Sequence, residues 1–137
     1  MQITDIPHSE RLDGSIAYFY RLREWLGDGY DMLMWWKSQD GKCHYFQSVM
    51  GETIEPNAKI IADRDIDSKV FDELLKKLKC NGIMELQIDE NPKIMNNYVD
   101  SYFVLLEGDK FHSFQLLCGY HSDCRFKKIQ NIIYRHQ

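Results

Sequence analysis

An Asp-Gly pair, Asp40-Gly41, sits between two segments whose apolar residues alternate. Alternation at every second residue is the mark of a strand, because successive side chains point to opposite faces of a sheet. Asp-Gly supplies the positive φ that a tight hairpin turn needs. Residues 30–37 (YDMLMWWK) place Tyr30, Met32, Met34 and Trp36 on one face and Asp31, Leu33, Trp35 and Lys37 on the other, and residues 43–50 (CHYFQSVM) resume as the partner strand. Both faces are partly apolar, so cover is expected on both sides.

Other signals extend this hairpin into a sheet with helices. Residues 15–25 (SIAYFYRLREW) are rich in aromatic and β-branched residues and end on the alternation Arg21, Leu22, Arg23, which predicts a half-buried strand leading into a turn or bulge at Gly27-Asp28-Gly29. The polar stretch 51–57 (GETIEPN) predicts a loop, followed by a short extended piece over 58–62. Val70, Phe71, Leu74, Leu75 and Leu78 recur at helical spacing behind Asp67 or Ser68, either of which suits an N-cap. That helix, about 67–81, ends at Asn81-Gly82, with Lys76, Lys77 and Lys79 near its negative end.

Residues 83–88 predict a short strand and 89–97 a surface loop. Residues 99–107 and 111–118 flank Gly108-Asp109-Lys110 as a second hairpin. Phe126, Ile129 and Ile133 then mark a closing helix, about 122–135, capped by Ser122 or Asp123. Strands and helices do not alternate regularly, so the expected class is α+β: one domain over 1–137, with a mostly antiparallel sheet built from two hairpin regions and two helices packed on it.

Charge and composition exclude several functions. Lys and Arg total 17 against 21 Asp and Glu, a net charge of -4 with both signs scattered, so nucleic-acid binding is not expected. No apolar run approaches the roughly 18 residues of a membrane span, and the first residues lack the pattern of a secretory leader. The reading is cytoplasmic, with no membrane partner. Cys43, Cys80, Cys118 and Cys124 form no disulfide framework and are expected to be reduced.

The chemistry-bearing residues are sparse. His112, Cys118, His121 and Cys124 are the group from which a metal site would have to be built, through the CGYHSDC spacing. The recognised paired knuckles of structural zinc are missing, so small thiols and a surface imidazole are the preferred reading, with no metal or cofactor. Cys124 at a helix start with His121 nearby suggests an activated thiol, but no orienting acid or oxyanion hole is identifiable. Asp63, Asp65 and Asp67 are spaced like the opening of a calcium loop, yet the loop's glycine and closing glutamate are absent, which leaves helix capping. The common phosphate, nucleotide, serine-hydrolase and zincin motifs do not occur, so enzyme readings lose most of their support and no catalytic residue is assigned.

Trp25, Tyr30, Trp35, Trp36 and Tyr45 remain as a candidate interaction surface, with core packing as the competing and favoured use. The leading functional expectation is therefore a non-catalytic protein-interaction or binding module, with another protein or a second copy of the chain as partner. In general layout the chain resembles the many small bacterial α+β proteins, a group that includes immunity proteins, which neutralise toxins by covering them; no specific motif carries this likeness, so it assigns no residues. The alternative is a small enzyme or ligand-binding domain with a pocket near His112, His121 and Cys124.

Overall fold

In the computed structural model, which describes residues 6–25, 29–51, 55–88, 99–116 and 123–137, the strands are β1 (Ser15–Trp25), β2 (Gly29–Ser38), β3 (Cys43–Gly51), β4 (Glu55–Ile66), β5 (Val99–Glu107) and β6 (Lys110–Leu116). They form one antiparallel sheet in the order β4-β3-β2-β1-β5-β6. Two helices, α1 (Ser68–Cys80) and α2 (Arg125–Arg135), complete the α+β fold. The Asp40-Gly41 turn closes as its residues predict: Gly41 takes φ +85°, and the Asp40 carboxylate accepts from the Lys42 amide at 3.0 Å.

Strand parity sorts the side chains into two cores. Phe19, Leu33, Trp35, Tyr45, Phe103 and Leu105 face the helices. There they meet Phe71, Leu74 and Leu78 of α1 and Phe126, Ile129 and Ile133 of α2, all buried. Phe103 stacks on Phe114 at 4.8 Å and receives the edge of Phe126 at 5.6 Å. Each such buried side chain contributes on the order of 1.5–3 kcal/mol relative to exposure, which is why two amphipathic helices suffice to fix this face.

The intervening residues, among them Tyr18, Tyr20, Leu22, Met32, Met34 and Phe46, form a second buried cluster on the opposite face. Ile6 and Leu12 pack into it from either end of a segment that includes a 3-10 turn, Ser9–Leu12. The apolarity of both faces of residues 30–37 is thus answered by helices on one side and by the chain's own lead on the other.

Four local expectations are corrected. The expected loop over 51–57 shortens: Gly51 ends β3, residues 52–54 lie outside the described residues, and Glu55 opens a 12-residue edge strand, β4, which takes in the short piece expected over 58–62 and absorbs a register shift opposite Gln47 and Ser48. Residues 83–88 are not a strand: Ile83–Glu85 make a 3-10 turn after Gly82 at φ +88°, which places Ile83 and Leu86 in the helix-side core. Val70, assigned to the apolar stripe of α1, is exposed at 42%. Closing helix α2 begins at Arg125 rather than about 122, with Asp123 accepting from the Arg125 amide at 2.9 Å. Most of the turn before Gly29 and the expected loop over 89–97 lie outside the described residues.

Candidate functional site

The five aromatics singled out in the sequence do not form one surface. Trp35 and Tyr45 lie in the helix-side core, 1% exposed each, with their rings 4.9 Å apart. Tyr30 and Trp36 belong to the other face, where Trp36 covers His44 at 4.8 Å. The side chain of Trp25 lies outside the described residues. An interaction surface made of Trp25, Tyr30, Trp35, Trp36 and Tyr45 together is therefore corrected: β-strand parity divides residues 35 and 36, and it divides 30 from 45.

A different set of aromatics builds a concave site. On the face opposite the helices, β1, β5 and β6 enclose a recess of about 150 Å³ whose lining includes Tyr18, Tyr20, Tyr102, Phe111, Ser113 and Gln115. The register explains the assembly, because Tyr18 pairs with Leu106 and Leu106 with Phe111, while Tyr20 pairs with Val104 and Val104 with Ser113. Tyr18 and Tyr20 are buried and stack at 6.2 Å; Phe111 on the edge strand is 58% exposed. Gln115 Nε2 donates to the Tyr102 hydroxyl at 3.4 Å. Burial raises the phenol pKa values of Tyr18, Tyr20 and Tyr102, so all three are neutral hydrogen-bonding groups at physiological pH. The recess can receive a small planar or apolar group and offer hydroxyl and amide contacts around it.

The helix-side face carries a polar group beyond its core. Asp31, 7% exposed, accepts from Arg21 Nη2 at 3.4 Å and from both Nε and Nη2 of Arg23. Desolvation and the neighbouring Arg23 pull Arg21 down to about 10, still charged at neutral pH. Arg21 Nε and Asp31 Oδ1 are buried without a hydrogen-bond partner among the described residues. Arg21, expected on the open side of a half-buried strand, is thus a buried charge. The Arg21, Leu22, Arg23 alternation had shown the period correctly but not that both faces are covered.

The remaining sequence candidates have structural partners or lie elsewhere. His112 Nε2 is 2.6 Å from the Leu86 carbonyl, tying β6 to the segment after α1. Cys124 is exposed at the start of α2, while Cys118 and His121 lie outside the described residues, so the CGYHSDC group is not assembled here. Asp67 caps α1 by accepting from the Lys69 amide at 2.8 Å. Asp63 and Asp65 instead hold the two ring nitrogens of His44, at 2.5 and 2.8 Å, and that bond lowers the Asp63 carboxyl pKa. Among the described residues, no three His, Cys, Asp or Glu side chains converge as a metal site.

A second hollow, of about 340 Å³, lies where α1 meets α2 and is walled by Lys79, Asn81, Glu85, Arg125 and Lys128. Its cations are partly neutralised, since Lys79 bonds Glu107 at 2.5 Å and Arg125 bonds Asp123 at 2.7 Å. Sequence reasoning missed the tyrosine recess because its lining comes from three separated segments. The legible signal was limited to Tyr18 and Tyr20 at alternate positions of one expected strand and Tyr102 on another. Among the described residues, no helix is long and apolar enough to cross a membrane. No family model matches the chain, and no curated protein sequence matches it.

Proposed function

We propose that the protein is a non-catalytic interaction module that takes a partner protein on the β1, β5 and β6 side of the face opposite the helices. The observation that supports this reading is the tyrosine recess, with exposed Phe111 on its rim. Aromatic side chains beside a small cavity are what protein interfaces use as anchors: they give large contact area with little entropy to lose. The reading keeps the aromatic character expected from the sequence and relocates it to different residues. It fits a protein acting by coverage, as immunity proteins do, and a cytoplasmic setting.

The enzyme alternative draws less support. His112 is engaged with a backbone carbonyl, and Cys124 is exposed at the start of α2, away from the tyrosine recess lining.

The test is affinity capture from native lysate with the wild-type chain and with Phe111→Asp as baits, analysed by mass spectrometry. Phe111 is largely exposed, so the substitution should leave stability within about 0.5 kcal/mol. A partner retained by the wild type and lost by Phe111→Asp is expected. A partner held equally by both baits contradicts the assignment of this face.

A further inference from the structure

The recess also has an electrostatic character. Among the described residues that strand parity places on the β1, β5 and β6 half of this face, the charged ones are Glu24 and Asp100, which pair across β1 and β5. Both are acidic. The cations of the same strands lie on the helix side by parity: Arg21 and Arg23, which Asp31 holds, and exposed Lys110, which stands opposite Glu107 in the β5–β6 register. Arg11, which does lie on the recess side of the sheet, sits over Phe46 and bonds Asp63 at 3.4 Å, toward β3 and β4. The carboxylates act at the recess itself: after burial, the charges of Glu24 and Asp100 add to the upward shift of the Tyr102 phenol.

Tyr18, Tyr20 and Tyr102 line the same recess, and Tyr102 is the least buried of the three. A volume near 150 Å³ suits a group about the size of benzene. A guanidinium is smaller, planar and weakly hydrated, stacks on aromatic rings and donates in several directions, whereas an ammonium is a compact and strongly hydrated point charge.

Resting on the interaction reading above, we propose that the recess receives an arginine side chain from a basic segment of the partner protein, set against Tyr102 and drawn by the charge of Glu24. The partner surface is accordingly cationic, complementary to a chain of net charge -4.

The probes are the peptide acetyl-Gly-Arg-Gly-amide and its citrulline counterpart, which has nearly the same shape without the charge. Binding is followed by NMR through the Tyr102 ring and the Gln115 side-chain amide. The arginine peptide is expected to shift both saturably and to bind at least about fivefold more tightly than the citrulline peptide. Its affinity should fall with added salt, and in both Tyr102→Leu and the exposed Glu24→Gln variant. Equal binding of the two peptides, or no shift with the arginine peptide, overturns the arginine assignment. The two readings fail separately: a captured partner lost by Phe111→Asp, combined with indifference to the arginine peptide, leaves the interaction face standing and removes only its proposed occupant.

Discussion

Replacing Asp31 by alanine removes the carboxylate that Arg21 and Arg23 share. Arg21 has only 13% of its side chain exposed and stays charged at neutral pH, so Asp31→Ala leaves a guanidinium buried without its counter-charge. Breaking a buried pair in this way costs about 3–5 kcal/mol. The lower end applies here, about 3 kcal/mol, because the Arg21 contact is long at 3.4 Å and Arg23 is exposed enough for solvent to screen it.

Arg21→Met removes the buried charge instead and keeps an unbranched chain in its place. Combined with Asp31→Ala, it should recover roughly 1–3 kcal/mol of the loss, as expected for side chains in one network. Urea denaturation at neutral pH, with the midpoint and slope determined for each single variant and the double, measures the coupling. A loss below about 1 kcal/mol for Asp31→Ala, or additivity within about 0.5 kcal/mol, would refute the view of Asp31 as the anion that makes a buried Arg21 tolerable.

Three further outcomes follow from the geometry. Leu74 is fully buried between α1 and the sheet, so Leu74→Ala should cost about 2–5 kcal/mol in denaturant unfolding; an unchanged midpoint would remove it from the core. Gly29 opens β2 at φ +116°, and a Cβ there would lie 2.0 Å from the Met50 carbonyl oxygen, so Gly29→Ala should lose more than about 2 kcal/mol, with a wild-type melting temperature as the contrary result.

Bonding to His44 holds the Asp63 carboxyl below its ordinary value of 3.8. A carboxyl with a lowered native pKa contributes stability that is present above the unfolded value and is lost as pH falls through the native one. His44→Leu should therefore move the Asp63 titration upward in NMR and shrink that acid-linked contribution; an unmoved Asp63 titration would show that His44 does not set it.

What was legible in the sequence were the elements whose burial is one-sided or strongly periodic. Phe71, Leu74 and Leu78, and likewise Phe126, Ile129 and Ile133, announce their helices because a helix exposes one face and buries the other. The strand β4 was hidden for the opposite reason: as an edge strand with a shifted register it mixes Lys59, Asp63, Arg64 and Asp65 with isoleucines and alternates poorly. The segment 83–86 has the composition of a strand, but its position just after the left-handed Gly82 turns it back toward the core.

The candidate site was less legible still. Its tyrosines are ordinary apolar strand residues until the order β2-β1-β5-β6 is known, because only that order brings Tyr18 and Tyr20 beside Tyr102 and Phe111. Trp35 and Trp36, conspicuous in sequence, are separated by a single residue step that sends them to different cores.

Recognition on the β5–β6 side of the face away from the helices predicts a particular pattern of amide protection. Amide hydrogen exchange of the chain, alone and with its captured partner, tests this most directly. Slowed exchange across β5, β6 and their connecting turn, with α1 and α2 unaffected, is the predicted result. Protection centred on the helices or on β4, with β5 and β6 unchanged, would contradict it.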